Sequence, residues 1–255
     1  MRNIRLTIQY DGTDYSGWQV QKNAATIQGL LEKAVHSVTG ETLRVTGAGR
    51  TDAGVHAFDQ VALIKTSSRL EPDIIKNALN AQLPVDIRII HAEDIHENFH
   101  PRYDAKNKTY TYLISRPGPY SLFLRRYSWQ LSWQLDPASM REAASRLKGK
   151  HDFSCFQASG CSARHPLREI MSLDVVESES VVFMGFTLDV PLIKISITAN
   201  SFLRHMARNV VGTLVEAGKG RLTPNEITEI LELRDRDKAG PTAPACGLFL
   251  KKIEY

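Results

Sequence analysis

The feature that most restricts the fold is the order in which strand and helix periodicities alternate along the first 92 residues. Apolar side chains at every second position predict a half-buried strand over residues 4–10. A helical stripe then runs between Thr26, a favourable N-cap, and Gly40, a favourable C-terminal stop. The other elements predicted here are strands near residues 43–46 and 61–65, a helix near 72–83 and a strand near 87–92. This β-α-β-β-α-β order is that of a ferredoxin-like domain.

A second series of similar elements follows residue 103. Alternation around Tyr110 predicts a strand, and Asp136 followed by Pro137 predicts the start of a helix that runs to about Leu147. The later predicted elements are strands near 168–177 and 187–198, helices near 202–217 and 223–233, and a strand near 248–253. We therefore predict an α+β protein with two ferredoxin-like halves, residues 1–103 and 104–255, joined around a mixed, mainly antiparallel sheet.

Charge and composition leave the class of partner open. The chain has 32 Lys and Arg against 28 Asp and Glu, and the net charge of +4 permits a polyanionic partner without requiring one. The N-terminus lacks the apolar core of a secretory signal, and no window of about eighteen apolar residues could span a bilayer. We therefore expect a cytoplasmic protein with no membrane partner.

Cysteine usage agrees with a reducing compartment, because three Cys do not pair into a disulfide framework. The spacing of His151, Cys155, Cys161 and His165 is compatible in principle with a tetrahedral zinc site. The two cysteines are not in the short spacing that such sites favour, so the pattern favours two small buried thiols and two surface histidines.

A glycine-rich stretch, Gly47–Ala57, carries the strongest candidate for a reactive group, Asp52. Three glycines allow a sharp turn and the close approach of a ligand, and Arg50 lies two residues before Asp52. By pattern alone, such a turn is also typical of an exposed loop with a solvated ion pair. The spacing matches neither the G-x-x-x-x-G-K-[ST] phosphate loop nor the G-x-G-x-x-G dinucleotide turn. The stretch therefore indicates either a surface turn or a preformed loop that presents a carboxylate.

The same stretch resembles the GRTDxGVHA signature of the tRNA pseudouridine synthase A family. Other segments resemble motifs of that family: YDGxxYxGWQ at residues 10–19, FHAR at 99–102, K/R-x-Y-x-Y at 108–112, FLxxMVRxIVG at 202–212 and APAxGLxL at 243–250. The chain departs from the family at Pro101 and Ala207, where Ala and Val are usual, and at His165, since Arg164 is commonly followed by Thr. The resemblance covers essentially the whole chain.

The resemblance implies the pseudouridine synthase fold, with its active-site cleft between the two halves. It also implies a homodimer that isomerises uridine to pseudouridine at positions 38 to 40 of the tRNA anticodon stem-loop. Asp52 would be the nucleophile, paired with Arg208. The reaction breaks the N1–C1′ bond, turns the uracil, joins C5 to C1′ and releases the C5 proton. Because neither redox change nor phosphate transfer occurs, we expect no cofactor and no metal.

Three further residues are candidates for binding the target nucleotide. Tyr110 offers a ring for stacking on uracil and a phenol for removing the C5 proton, although its alternation equally indicates a core tyrosine and a water could take the proton instead. Arg50 is suited to occupy the space of a flipped base or to hold the adjoining phosphate. Leu248 is suited to form an apolar lid over the base.

Contacts to the RNA backbone are expected from a set of basic residues with two aromatic side chains nearby. These are Arg102, Lys106, Lys108, Arg125, Arg126, Arg164, Arg168 and Arg204, with Tyr127 and Trp129 for stacking. Three other functions remain open on this evidence: a non-catalytic RNA-binding module, a synthase with another uridine target, and a hydrolase with an Asp nucleophile. A glycosidase usually needs a second carboxylate, and no motif places one near Asp52.

Overall fold

The computed structural model describes residues 1–117, 122–161, 163, 165–183 and 185–255. Within these ranges the chain forms twelve strands and five α-helices. In chain order they are β1 (Arg2–Tyr10), α1 (Ile27–Thr39), β2 (Thr46–Gly47), β3 (His56–Thr66), α2 (Pro72–Gln82), β4 (Ile87–Ile95), β5 (Asn107–Ser115), β6 (Trp129–Gln130), α3 (Pro137–Leu147), β7 (Gly149–Asp152), β8 (Leu167–Ser178), β9 (Val181–Phe183), β10 (Phe186–Leu188), β11 (Leu192–Ala199), α4 (Met206–Gly218), α5 (Pro224–Leu233) and β12 (Leu248–Glu254). None of the described helices is long and apolar enough to cross a membrane.

The chain divides into two compact units, of which the first comprises Met1–Lys106 and Phe249–Tyr255. Strand β1 lies between β3 and β4 and is antiparallel to both, while β2 pairs antiparallel with the later part of β3. This is the predicted ferredoxin-like order. Helix α1 keeps its predicted ends, because the Thr26 side chain accepts a hydrogen bond from the Gly29 N–H and Gly40 adopts a φ of 72°.

The last strand joins the first unit from the far end of the sequence. It runs parallel to β3, with Phe249 opposite His56 and Leu250 opposite Ala57. The first unit therefore includes residues 249–255, which the predicted division at residues 103 and 104 places in the second half.

The second unit, Asn107–Leu248, contains a sheet in the order β5-β11-β8-β7. Neighbouring strands in this path are antiparallel, and the short β6 pairs parallel with β5. Helix α3 packs against β8 and against α4 and α5. Of the three long strands of this unit, β11 therefore lies between β5 and β8, which precede it in the sequence. This is the split β-α-β arrangement predicted for this part of the chain.

Three predicted boundaries are wrong, for local reasons. Helix α4 begins at Met206 rather than near 202, because His205 has a φ of 61° and ends the preceding segment in a left-handed conformation. The strand predicted over 187–198 is two strands, β10 and β11, separated by a segment that contains Pro191, which lacks an N–H for the ladder. The strand predicted over 43–46 is only the two-residue β2.

Candidate active site

The loop that carries Asp52 connects β2 to β3; hydrogen bonds to β3 hold its first residues, and a hydrogen bond within the loop follows Asp52. The Ala48 N–H donates to the carbonyl oxygen of Val61 over 2.8 Å, and the side-chain amide of Gln60 donates to the carbonyl oxygen of Gly49 over 3.0 Å. On the far side of Asp52, its own carbonyl oxygen accepts from the Val55 N–H over 3.2 Å. Asp52 is half-buried and Arg50 is exposed. These hydrogen bonds therefore fix the backbone a few residues before and after Asp52.

A buried hydrogen-bond network joins this loop to β1 and β3. The Tyr10 and Thr51 hydroxyl oxygens are 2.8 Å apart, and the Gln60 amide nitrogen lies 3.4 Å from the Tyr10 oxygen. Because Gln60 donates to Tyr10, the phenol is placed to donate in turn to Thr51. Burial raises the pKa of Tyr10 to about 12, so the phenol stays neutral at physiological pH. The network ties the residue before Asp52 to the interior of the sheet.

The loop that follows β1, residues 11–19, packs directly on the Asp52 loop. Gly17 has a φ of +87°, and a Cβ there would lie 2.6 Å from the carbonyl oxygen of Thr51. That oxygen also accepts from the Trp18 N–H over 3.0 Å. The buried Trp18 ring lies on Gly47, where a Cβ would be 2.6 Å from ring atoms. These two glycines are therefore required for the loops to meet, and Trp18 is the packed anchor between them.

His56 links the start of β3 to the turn after β1. Its Nδ1 lies 3.1 Å from the Gly12 N–H nitrogen and 3.1 Å from a carboxylate oxygen of Asp11. A Cβ on Gly12 would lie 2.0 Å from the carbonyl oxygen of Val55, so only glycine fits there. The sequence analysis gave no individual role to His56, although it lies in the glycine-rich stretch and the family signature, and none to Gln60, which lies outside both.

In the second unit, Arg208 lies in the first turn of α4 and is held by the segment that precedes β12. Its Nε donates to the carbonyl oxygen of Ala243 over 2.7 Å, and the Ala243 N–H donates back to the Arg208 carbonyl over 3.2 Å. One turn further along, a Cβ on Gly212 would lie 1.6 Å from the carbonyl oxygen of Pro241. The contact with Ala243 fixes the plane of the guanidinium group.

Asn209 strengthens the same junction, although its sequence context gave no sign of that role. Its side-chain oxygen accepts from the Thr242 hydroxyl over 2.6 Å and from Arg236 over 3.1 Å. Its amide nitrogen donates to the carbonyl oxygen of Phe156 over 2.7 Å. A fully buried amide with these partners locks α4 to the loop that follows α5.

Tyr110 and Leu248 are both buried, with 8% and 4% of their surface exposed. The Tyr110 ring packs edge-on against Phe202, with centroids 4.8 Å apart at an interplanar angle of 80°. Two residues along β5, the phenol of Tyr112 donates to the carbonyl oxygen of Pro244 over 2.8 Å. Tyr112, which sequence reasoning passed over, therefore anchors the segment that leads to Leu248.

The expected RNA-backbone residues differ in exposure. Arg102, Lys106, Arg125, Arg126 and Arg204 are exposed, whereas Lys108 and Arg168 are only 8% and 9% exposed. Little of the surface of those two residues is open to a ligand. Tyr127 and Trp129 are partly exposed, and Arg164 lies outside the described residues.

The spacing considered for zinc does not produce a metal centre in the part of the chain that the structure describes, where no three His, Cys, Asp or Glu side chains are grouped to hold an ion. The His151 Nε2 lies 2.9 Å from the carbonyl oxygen of Lys148. Cys155 is fully buried, and burial raises its pKa to about 12.

Comparison with known proteins gives agreement over the whole chain. A family profile described as tRNA pseudouridine synthase matches residues 6–104 and 143–255. The chain is 44% identical over 255 residues to the tRNA pseudouridine synthase A of a Thermoanaerobacter species and 45% identical to that of Ruminiclostridium cellulolyticum, with all of each chain covered. Among solved structures, it is similar to a chain of the archaeal box H/ACA sRNP Nop10-Cbf5 complex at 9% identity and a TM-score of 0.35, over 92% of this chain and 59% of that one.

Proposed function

The chain belongs to the tRNA pseudouridine synthase A family, and on that premise we propose that Asp52 is the nucleophile of its reaction. The protein is a tRNA pseudouridine synthase, an isomerase that modifies uridines of the anticodon stem-loop. The finer proposal is that its targets are positions 38 to 40, that it acts in the cytoplasm and that it works as a homodimer.

The reaction needs one ionised carboxylate next to the ribose of the target. In one route the carboxylate adds to C1′ as the N1–C1′ bond breaks. In the other it takes the C2′ proton as the base departs, which leaves the ribose as a glycal, and the proton returns to C2′ when the base adds back. Both routes end when C5 bonds to C1′ and loses its proton. N1 takes up a proton as C5 releases one, so the product is an isomer of uridine. No electrons or phosphate are transferred, so the chemistry itself calls for no cofactor and no metal.

The observation that most supports Asp52 is the fixed backbone on either side of it. Two closely packed loops and the Tyr10–Thr51–Gln60 network hold Thr51 and Gly49, the neighbours of Asp52 and Arg50. A solvated surface turn would not require such support. A nucleophile does, because misplacing a reacting group by about 1 Å costs on the order of 100-fold in rate.

We assign supporting roles to four residues. Arg208 is the cationic partner of the Asp52 carboxylate, because a charge that is removed from water when the site closes over a base needs an opposite charge beside it. Tyr110 stacks on the uracil and is the candidate for removing the C5 proton. Arg50, exposed beside the nucleophile, replaces the flipped base in its stack or holds its phosphate, and Leu248 covers the base.

The test is pseudouridine formation in unmodified tRNA transcripts, mapped by position, without added metal or cofactor. Wild type should give product at positions 38 to 40, and Asp52→Asn should bind the same tRNA and give none. Asp73→Asn, which changes an exposed carboxylate in the first turn of α2, is the matched control and should be fully active.

Two results would contradict the proposal in different ways. Binding of tRNA by wild type without any product would favour a non-catalytic RNA-binding module. Full activity of Asp52→Asn would leave the enzyme class intact and remove Asp52 as its nucleophile.

A further inference from the structure

An exposed aromatic ring lies on the turn between β4 and β5, and the roles assigned above do not use it. Tyr103 has 75% of its surface exposed. One contact of its ring is with the His100 ring, at 4.3 Å between centroids and an interplanar angle of 34°. The guanidinium carbon of Arg102 lies 5.8 Å from the Tyr103 centroid. The turn thus presents a large ring to solvent beside a cation.

Hydrogen bonds within the turn make it rigid. The His100 Nδ1 accepts from the N–H groups of Arg102 and Tyr103, over 3.1 and 3.3 Å. The Tyr103 N–H also points to the His100 carbonyl oxygen at 3.1 Å, and the Asp104 carboxylate accepts from the His100 N–H over 2.9 Å. The Tyr103 ring is therefore held against a fixed neighbour.

The turn is also anchored to the sheet of the first unit. The Pro101 carbonyl oxygen accepts from the Tyr255 phenol over 2.9 Å, and the buried Phe99 ring packs on the Tyr255 ring at 5.1 Å. Lys106 donates from its backbone to the Glu254 carbonyl over 2.8 Å and from its side chain to the Tyr255 backbone oxygen over 3.0 Å. An exposed ring on an anchored turn loses little conformational freedom when it binds a partner.

We propose that Tyr103 is a stacking platform for an unpaired base of the RNA substrate other than the uridine that reacts, with Arg102 binding the neighbouring phosphate. Every nucleobase has a π-face that stacks on a tyrosine ring, and a flanking guanidinium complements the phosphate backbone. The immediate neighbours of Tyr103 in the sequence are Arg102 and Asp104, so the ring lies between charged residues rather than among apolar ones. That setting favours RNA over a protein partner, which an apolar patch would suit better. This inference rests on the proposed function.

The test compares Tyr103→Ala, Tyr103→Leu and Tyr103→Phe with wild type in filter binding of unmodified tRNA and in pseudouridine formation. Tyr103→Ala should weaken binding about tenfold, within the range that loss of one base–aromatic stack produces. The KM should rise by a similar factor while kcat at saturating tRNA stays unchanged, because the ring does not touch the reacting atoms. Tyr103→Phe should bind like wild type and Tyr103→Leu like the alanine variant.

The salt dependence separates the two contacts. Arg102→Ala should reduce the slope of log K against log salt by about one, whereas Tyr103→Ala should leave the slope unchanged. Wild-type binding by Tyr103→Ala would overturn the inference, and so would a leucine variant that binds as well as phenylalanine. A change of oligomeric state in Tyr103→Ala on gel filtration would assign the ring to a protein contact and overturn it as well. If wild type forms no pseudouridine, the proposed function fails, and tRNA binding by the variants still tests the platform separately.

Discussion

Removing one hydroxyl group from the network beneath Asp52 tests whether that network serves catalysis. Tyr10→Phe keeps the buried ring and deletes only the hydroxyl group, whose oxygen lies 2.8 Å from the Thr51 hydroxyl oxygen and 3.4 Å from the Gln60 amide nitrogen. Gln60 retains its bond to the Gly49 carbonyl. The buried Thr51 hydroxyl loses the Tyr10 partner, so the residue next to Asp52 is the one most affected.

The expected cost follows from the geometry. A neutral hydrogen bond contributes about 1 kcal/mol net, and a buried group left short of a partner costs about 1–3 kcal/mol. The contact at 3.4 Å is long and adds little. We therefore expect the free energy of unfolding to fall by about 2 kcal/mol, or roughly 4–8 °C in Tm for a chain of this size. Because Thr51 precedes Asp52, we expect kcat to fall on the order of tenfold to 100-fold, with KM for tRNA nearly unchanged.

The assay is steady-state pseudouridine formation beside thermal unfolding. Ser128→Ala is the control, since it deletes another buried hydroxyl, one that donates to the Leu124 carbonyl over 2.9 Å in the second unit. It should lower Tm and leave kcat unchanged. Thr51→Ser keeps a hydroxyl beside Asp52 and should keep most of kcat. If Tyr10→Phe loses stability but no more kcat than Ser128→Ala, the network is structural and the reasoning is refuted.

Three further outcomes are expected. Gly212→Ala would put a Cβ 1.6 Å from the Pro241 carbonyl oxygen, so it should cost more than about 3 kcal/mol or prevent folding; a variant with the wild-type Tm would contradict the packing described for α4. Cys155 is buried and its pKa is raised to about 12, so a thiol reagent at pH 8 should not react with it in the folded protein and should react with it in guanidinium. Peptide mapping after the treatment measures this. Labelling of Cys155 in the folded protein would contradict its burial. Burial raises the pKa of Tyr10 from 10.0 to about 12, so its contribution to the free energy of unfolding is complete below pH 10 and is lost as the pH rises towards 12. Between pH 10 and 12 the Tm of wild type should therefore fall more steeply than that of Tyr10→Phe. Parallel curves for the two proteins would refute the assignment.

The sequence predicted those elements whose cause is local. Helix α1 begins and ends where Thr26 and Gly40 place it, and the apolar alternation of residues 4–10 marks most of β1. The family motifs identified the Asp52 loop and the Arg208 helix because each is a short continuous segment. These are features that a few neighbouring residues determine.

Features that depend on distant residues were not predictable. Tyr10 and Thr51 are 41 residues apart, and nothing in either segment indicates that their hydroxyls meet. Lys108 was expected to reach RNA, yet it is buried on the same face of β5 as Tyr110 and Tyr112, a face that the strand alternation already marked as a candidate core face. Gly212 reads as a weak point in a helix until the Pro241 carbonyl is seen against it. Such pairings exist only after the chain has folded back on itself.

The position of β12 has a consequence for how the chain is synthesised. Residues 56 and 57, which begin the strand after the Asp52 loop, pair with Phe249 and Leu250 of β12, and those two residues are translated only after all of Asn107–Leu248. At about 5–20 residues per second, the ribosome takes on the order of ten seconds to make the intervening segment. Over that interval the start of β3 is without its β12 neighbour, and unpaired strand edges are where nascent chains associate wrongly. A product of interrupted translation that stops before Phe249 contains Asp52 but not that strand partner, so β3 gains its β12 neighbour only in chains that have been translated beyond Leu250.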